Sequence, residues 1–306
     1  MNKSISLLRS KDHYAGVTAS LEPFSTDLRS VLSEVSSMVI KINLVITRTK
    51  AYSEGVELAV TPFKAVQAFI DTIAPFYKGK IIIAEEAAWG NTTEGFRMYG
   101  YDQLASRKDV WIELLDYEND EIVNKTIHHP GGTLALPFSK TMLEAPFLVS
   151  ITRPKTHCSV VMTAGIKNVL VGALHKYSMR RKIHRGHLIH YMLASIADHV
   201  YPHFVLIDGT VGMENGGPVR GTAIQSNWVV SSFDALAADS LAAYLMGINL
   251  EDIGYLSLLK EKKMGRCYPS DEIEIIGDQP DDLAVRFKPH RNFNKLKMWR
   301  SEALDE

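Results

Sequence analysis

Short runs of apolar residues alternate along the chain with longer stretches in which apolar residues recur at helical spacing. The short runs predict strands at residues 37–44, 80–85, 110–115, 147–151, 203–208, 227–233 and 273–276. The longer stretches predict helices at residues 61–77, 92–99 and 234–246. Alternation of this kind favours an α/β fold, with a mainly parallel sheet that carries helices on both faces.

The strand runs are almost continuously apolar, as expected when helices cover both faces of a sheet. We therefore expect a Rossmann-like open sheet. Neither a repeat nor a linker divides the sequence, so we expect one α/β domain over residues 1–290. The remaining residues, 291–306, are mostly polar and charged, and they predict a loosely packed C-terminal tail.

Composition and charge narrow the classes of function. The 306 residues are 46% hydrophobic and 23% charged, which is typical of a soluble globular protein. Because 34 Lys and Arg balance 35 Asp and Glu, no overall field attracts nucleic acid or an anionic membrane. No apolar stretch is long enough for a signal peptide or a membrane span. We expect a cytoplasmic protein, and its oligomeric state stays open.

The sequence also disfavours binding of an iron–sulfur cluster, a nicotinamide or a flavin. Its two cysteines, Cys158 and Cys267, are too few for an iron–sulfur cluster, which needs about four thiolates. The glycine-rich segment at residues 209–222 matches neither the dinucleotide nor the P-loop fingerprint. Nothing else indicates nicotinamide or flavin binding.

Polar residues collect after the predicted strands, where open α/β sheets bind their ligands. A single polar residue there is usually a helix cap, but five strand ends carry charged or amide residues. The candidate substrate-binding residues, at these ends and in the segments discussed below, are Lys41, Asn43, Glu85, Thr163, Gly216, Gly217, Arg180 and His187. Together they predict a pocket for a small anionic molecule.

The segments 153–157 and 163–168 carry the strongest chemical signal. Lys155 and His157 alternate on an extended segment, and Lys167 and Asn168 follow a turn that could open a helix. A lysine removed from water can act as a base, and histidine does so near neutral pH. We predict these four residues to be catalytic. The alternative is that both lysines are solvated surface charges.

Carboxylates near the later strands suggest a divalent cation such as Mg²⁺, which prefers oxygen ligands. The candidates are Asp208, Glu214, Asp234 and Asp239. Glu214 lies in the segment 209–222, whose five glycines indicate either close backbone approach to a ligand or a flexible loop. Asp234 could instead cap a helix. Asp239 could instead pair with one of the two lysines.

The stretch 175–190 holds four histidines and five Lys or Arg, and no acid. It predicts either a solvated helix face or an anion-binding patch that includes Arg180 and His187. A nucleic-acid partner is disfavoured, because the patch has a single aromatic residue and the chain as a whole is not basic.

Several short motifs in this order resemble the family called domain of unknown function 362. They are Lys41-x-Asn43, Thr61-Pro62, Pro-Lys-Thr-His at 154–157, Thr-x-x-Ile-Lys-Asn at 163–168, Ile-Asp-Gly at 207–209, the glycine-rich motif at 212–221 and Asp-x-x-Ala-x-Asp at 234–239. The resemblance covers residues 37–277 and implies little chemistry, since the family is named for an unknown function. Many relatives carry ferredoxin-like iron–sulfur segments, but this chain lacks the necessary cysteines.

Two hypotheses follow from these residues. The first is an enzyme of isomerase-like, redox-neutral acid–base chemistry on an anionic or carbonyl-bearing small molecule, with or without a divalent cation. The second is a non-catalytic metal- or anion-binding protein, such as a maturation or delivery partner.

Overall fold

The computed structural model describes residues 4–47, 56–184 and 186–300, with the backbone alone at Tyr177 and Ser178. The strands are β1 (Ile5–Arg9), β2 (Ser37–Lys41), β3 (Lys80–Glu85), β4 (Trp111–Asp116), β5 (Ile122–His129), β6 (Gly132–Ser139), β7 (Leu148–Thr152), β8 (Lys155–His157), β9 (Val161–Thr163), β10 (Phe204–Gly209), β11 (Gly212–Glu214), β12 (Thr222–Ile224), β13 (Trp228–Ser232) and β14 (Ile275–Gly277). The helices are α1 (His13–Leu21), α2 (Ser25–Ser33), α3 (Phe63–Ile73), α4 (Thr92–Met98), α5 (Tyr101–Ala105), α6 (Lys140–Leu143), α7 (Gly165–Gly172), α8 (Tyr177–Ile183), α9 (Leu188–Ile196), α10 (Ala235–Leu245), α11 (Gly254–Glu261), α12 (Pro280–Leu283) and α13 (Phe293–Leu296).

An eight-stranded sheet forms the centre of the fold, in the order β14-β1-β13-β10-β7-β2-β3-β4. Every neighbouring pair is parallel except those of β13, which runs antiparallel to both β1 and β10. The α/β class and the mainly parallel sheet predicted from the sequence are thus confirmed. Each of the seven predicted strands is present, and 80–85 has the bounds predicted.

Side chains alternate along each strand and so build two apolar layers, one on each face of the sheet. On β2, for example, Met38 and Ile40 face a layer with α1, α2 and α3, while Val39 faces the other layer. That second layer contains α7, α9, α10 and α11. Helices on both faces therefore explain why the strands read as continuous apolar runs.

Smaller elements outside the central sheet complete the fold. A four-stranded sheet in the order β12-β11-β8-β9 contains the end of the 153–157 segment. The β5–β6 hairpin reaches the chain that follows α7, where Ser139 N donates to Ala173 O at 2.9 Å and His175 N donates to Pro137 O at 3.0 Å. The hairpin thus braces the connection between α7 and α8.

The predicted polar tail packs on the domain as far as it is described. Leu296 and Trp299 are buried, and the Trp299 ring lies 5.6 Å from that of His190. Residues 291–300 are therefore not loosely packed as we expected, because two apolar side chains anchor them. The division at residue 290 stays a prediction.

None of the helices in the described parts of the chain combines the length and the apolar character needed to cross a membrane.

The order of the strands fixes where a ligand can bind. From β2 the chain adds β3 and β4 on one side, and then β7 and β10 on the other. Such a reversal leaves a crevice beyond the carboxyl ends of the two strands at which it occurs. Here those strands are β2 and β7.

Helix α7 begins in this crevice, and a carboxylate from another helix caps it. Asp239 of α10 accepts the N–H groups of Gly165 at 2.8 Å and Ile166 at 3.0 Å. These are two of the first N–H groups of α7, which have no partner inside the helix. Asp239 thus fixes the start of the helix that carries Lys167 and Asn168.

Replacing this cap should destabilise the domain measurably. We expect Asp239→Ala to lower the free energy of unfolding by about 2 kcal/mol, since it leaves two buried N–H groups without an acceptor. Urea denaturation measures the loss. Asp12→Ala, which removes the exposed cap of α1, is the matched control and should cost about 1 kcal/mol. Equal losses would show that the Asp239 cap has no special structural role.

Candidate functional site

A cavity of about 130 Å³ lies in the crevice between the carboxyl ends of β2, β3 and β7. Nine residues predicted from the sequence line it: Lys41, Asn43, Glu85, Lys155, His157, Thr163, Lys167, Asn168 and Arg180. They come from five separate parts of the chain, and the topology brings them together.

A buried ion pair joins the ends of two neighbouring strands at the floor of the cavity. The Lys41 ammonium donates to the Glu85 carboxylate and to the carbonyl of Ile42. The other carboxylate oxygen of Glu85 accepts the N–H of Leu44 at 3.3 Å. Burial lowers the pKa of Lys41, and the charge of Glu85 opposes that shift. The pair therefore ties β2 to β3 through side chains as well as backbone.

Asn168 connects α7 to the same strands. Its Nδ2 donates to Lys41 O and to Ser150 Oγ, both at 3.1 Å, and its Oδ1 lies 3.4 Å from Lys41 Nζ. Ser150 Oγ in turn donates to Gly165 O at 2.7 Å. The amide of Asn168 is thus occupied in holding the helix against the sheet.

Gly172 makes room for the Lys41 side chain. A Cβ atom at this position would overlap the Cε and crowd the Nζ of Lys41. Only a residue without a side chain lets the last turn of α7 approach the lysine so closely.

Lys155 enters the cavity from β8. Its Nζ donates to Ala59 O at 2.8 Å, and the side chain is buried. Burial, followed by the positive charges of Arg153 and Lys167, lowers the pKa of Lys155 to about 7. The possibility that Lys155 and Lys167 are solvated surface charges is therefore wrong, since both are buried.

Lys167 and His157 are in contact, and the two hydrogen bonds of His157 indicate which of the two side chains carries a proton. His157 Nδ1 accepts the N–H of Ser159 at 3.0 Å, so a neutral imidazole carries its proton on Nε2. His157 Nε2 lies 3.1 Å from Lys167 Nζ. An Nε2–H can donate only to an amine with a free lone pair, so both hydrogen bonds exist together only when Lys167 is neutral. Burial agrees with this arrangement, since it lowers the pKa of Lys167 to about 8 and that of His157 well below its usual range.

Two residues that line the cavity carry a buried donor with no hydrogen-bond acceptor among the described residues. Arg180 uses Nε and Nη1 on the carbonyls of Leu174 and Glu86, at 3.1 and 2.6 Å. Its Nη2 makes no hydrogen bond and lies 3.5 Å from the Glu86 carboxylate. The buried hydroxyl of Thr163 is likewise without a partner. Buried donors without an acceptor suit an anion that brings acceptor oxygens.

Other residues of the cavity were not predicted from the sequence. The His184 ring stacks on His157 with 6.2 Å between centroids, and its Nδ1 donates to Arg180 O at 2.6 Å. His184 lies in the stretch 175–190, which is not one solvated helix face, because it contains α8 and the start of α9, with His175, Arg180, His187 and His190 buried. Gly172 and Pro218 also line the cavity, and no pattern in the sequence indicated either of them.

Three predicted binding residues do not line the cavity. Gly216 and Gly217 pack against backbone, because a Cβ atom would overlap Arg220 O at the first position and Thr156 O at the second. This close approach brings the next residue, Pro218, to the cavity. His187 is buried outside the cavity lining.

The four candidate metal ligands do not come together. Asp208 contacts His13 Nδ1 at 2.6 Å, and Glu214 accepts the N–H of Lys288 at 2.7 Å. Asp234 caps α10 and pairs with an arginine, Arg266, at 3.1 Å, while Asp239 caps α7. Across residues 4–47, 56–184 and 186–300, no three His, Cys, Asp or Glu side chains are grouped to hold a metal ion. The expectation of a cation site at these carboxylates, or of their pairing with Lys155 or Lys167, is corrected accordingly.

Comparison with known proteins agrees with the motifs. A family model described as a domain of unknown function (DUF362) matches residues 38–244, more than half of the chain. The chain is 22% identical to the thylakoid-associated protein sll1697 of Synechocystis over 294 residues, which cover 93% of this chain and 87% of that protein. The lactate racemase apoprotein of Thermoanaerobacterium thermosaccharolyticum superimposes with a TM-score of 0.49 and 16% identity. That alignment covers 81% of this chain and 58% of the racemase chain, so this chain spans less than two thirds of its length.

Replacing one partner of the buried ion pair should lower the free energy of unfolding more than replacing both partners. We expect Glu85→Gln to lower the free energy of unfolding by about 3 to 5 kcal/mol, because the Lys41 charge is then buried without a counter-charge. The double variant Lys41→Met with Glu85→Leu should lose less than Glu85→Gln alone. Urea denaturation of both variants tests this, and a larger loss in the double variant would contradict it.

The stability of the protein should rise with pH because of its buried lysines. The pKa of Lys155 is about 7 in the folded protein and 10.5 in the unfolded chain. Between these values the unfolded chain binds more protons, so the free energy of unfolding increases with pH by at most about 1.4 kcal/mol per unit for this group. Lys155→Met should flatten that slope between pH 8 and about 9.5, whereas the exposed Lys108→Met should not. Equal slopes in the two variants would contradict the assignment.

Proposed function

The chain belongs to the domain of unknown function 362 family, and from that premise we propose that it is an enzyme of redox-neutral acid–base chemistry. Its substrate would be a small anionic molecule that carries a carbonyl group. The single observation that carries the proposal is the contact of 3.1 Å between Lys167 Nζ and His157 Nε2. Together with the Ser159 hydrogen bond to His157, this contact favours an uncharged lysine amine, and burial lowers the pKa of Lys167 to about 8, so the basic form predominates above that pH.

The surroundings of the amine support an anionic substrate. Lys155 and Arg180 line the same cavity, and the Arg180 Nη2 has no hydrogen-bond acceptor in the described parts of the chain. A carboxylate bound there would supply the acceptor that this buried donor lacks.

Proton abstraction next to a carbonyl suits this arrangement. The Lys167 amine would take the proton from the carbon beside the carbonyl, and an enolate would form. Positive groups already in place, Lys155 and Arg180, would stabilise the negative charge as it develops on oxygen. Returning the proton to another position or to the other face gives an isomerisation or a racemisation, with no change of oxidation state.

Non-catalytic binding of an anion is the alternative. It would use the same cationic side chains without transferring a proton, so binding alone does not distinguish the two functions. The transfer of a proton from carbon to solvent does distinguish them.

Hydrogen–deuterium exchange at carbon tests the proposed function without knowledge of the product. We expect the protein to speed the loss of the proton signal beside the carbonyl of small 2-oxo and 3-oxo acids in D₂O, measured by proton NMR. Lys167→Met should reduce this exchange to the rate without enzyme. Lys64→Met, on the exposed face of α3, should leave it unchanged.

The same compounds should be tested for binding by thermal shift. An oxo acid that stabilises the protein and exchanges no faster than in buffer would identify a binding protein instead of an enzyme. Exchange that persists in Lys167→Met would assign the base to another residue.

A further inference from the structure

The environment of Lys167 differs from that of the other two lysines in the cavity. The Lys41 ammonium donates to a carboxylate, and the Lys155 ammonium donates to the carbonyl of Ala59. The Glu85 carboxylate favours the charged form of Lys41, whereas burial lowers the pKa of Lys155 to about 7, so Lys155 can also lose its proton. Lys167 Nζ contacts an imidazole nitrogen instead, and in the described residues it makes no ion pair with a carboxylate.

A buried neutral amine among cations is both a base and a nucleophile. Desolvation and a neighbouring positive charge are the two means by which a lysine becomes able to attack a carbonyl. Burial is the larger effect here and lowers the pKa of Lys167; the charge of Cys158 raises that pKa, and the charge of Arg180 lowers it. Lys167 therefore has the properties needed for covalent chemistry.

The cavity also provides groups for the two ends of an oxo acid. The Nη2 of Arg180 and the hydroxyl of Thr163 are buried donors without hydrogen-bond partners in the described chain, and both residues line the cavity. Arginine and a hydroxyl commonly bind a carboxylate. A carboxylate held there would keep the neighbouring carbonyl carbon inside the cavity that Lys167 also lines.

We propose that Lys167 forms an imine with the carbonyl carbon of a small 2-oxo acid, whose carboxylate Arg180 and Thr163 bind. The inference rests on the proposed function and deepens it, since an imine draws electrons from the neighbouring C–H bond and makes its proton easier to remove. Once Lys167 is bound in the imine its nitrogen no longer serves as the base, so Lys155, buried in the same cavity, takes over the role that the proposed function gives to Lys167.

Imine formation requires neither an oxidant nor a reductant. The Lys167 nitrogen attacks the carbonyl carbon, a C–N bond forms, and the carbonyl oxygen takes up a proton. The carbinolamine then loses that oxygen as water, and the two hydrogens lost from the amine nitrogen balance the two hydrogens of that water. When the amine leaves its hydrogen bond to His157, the Nε2–H of His157 becomes free to donate to the departing oxygen.

Reductive trapping tests the imine directly. The protein is incubated separately with glyoxylate, pyruvate and 2-oxobutyrate, with cyanoborohydride present to reduce any imine to a stable amine. We expect an added mass on the intact protein and, after digestion, on the peptide that contains Lys167. The rate of trapping should rise with pH through about 8, as the amine loses its proton.

Two variants serve as controls. Lys167→Met should lose the adduct, and Lys155→Met should keep it. Because the peptide map of the wild-type protein locates the adduct by itself, the result does not depend on the folding of either variant. An adduct on Lys155 or Lys41, or no adduct with any of the three acids, would overturn the proposal.

Comparison with deuterium exchange separates this proposal from the broader one. Exchange without an adduct would overturn the imine and leave the acid–base function standing. An adduct without exchange would support the imine and remove proton abstraction. The absence of both would overturn both proposals.

Discussion

The buried pair of Lys41 and Glu85 is the interaction about which the cavity is arranged. A charged lysine below the surface costs several kcal/mol unless a counter-charge and further hydrogen bonds compensate. The structure supplies these from three directions, with the Glu85 carboxylate, the carbonyl of Ile42 and the amide of Asn168. Gly172 then allows α7 to pass close to the lysine. The contacts of one ammonium group thus help to position β3 and α7 relative to β2.

Helix α7 connects the ion pair to Lys167, because it carries both Asn168 and Lys167. The carboxylate of Asp239 caps its start, and Asn168 fixes its middle to β2 and β7. Lys167 lies next to Asn168 and so is held close to His157 without any carboxylate of its own. Asn168 and Lys167 lie on the same short helix, so a substitution of Asn168 would also move Lys167.

The sequence was informative where a pattern reflects a strand and the residue that follows it. Apolar runs located β2, β3 and β7, and the rule that ligands bind beyond strand ends led to Lys41, Glu85 and Lys155.

The rule failed for carboxylates such as Asp239, because a strand-end position does not say whether an oxygen faces a ligand or a helix N-terminus. The antiparallel direction of β13 could not be predicted from the sequence either, since buried strands of either direction have the same apolar composition. His184 was missed for a related reason, as its place beside His157 depends on how α8 folds back over the cavity.

The reversal of strand order beside β2 has a consequence for the way the protein is made. During synthesis β2, β3 and β4 leave the ribosome before β7 and can pair in turn, but the other edge of β2 stays open until β7 arrives about a hundred residues later. Until then Lys41 lacks Asn168 and the wall that excludes water. Contacts between residues so far apart in sequence form slowly, because a long loop must close first. The cationic cavity is therefore one of the last parts of the nascent protein to take shape, after its strands have paired.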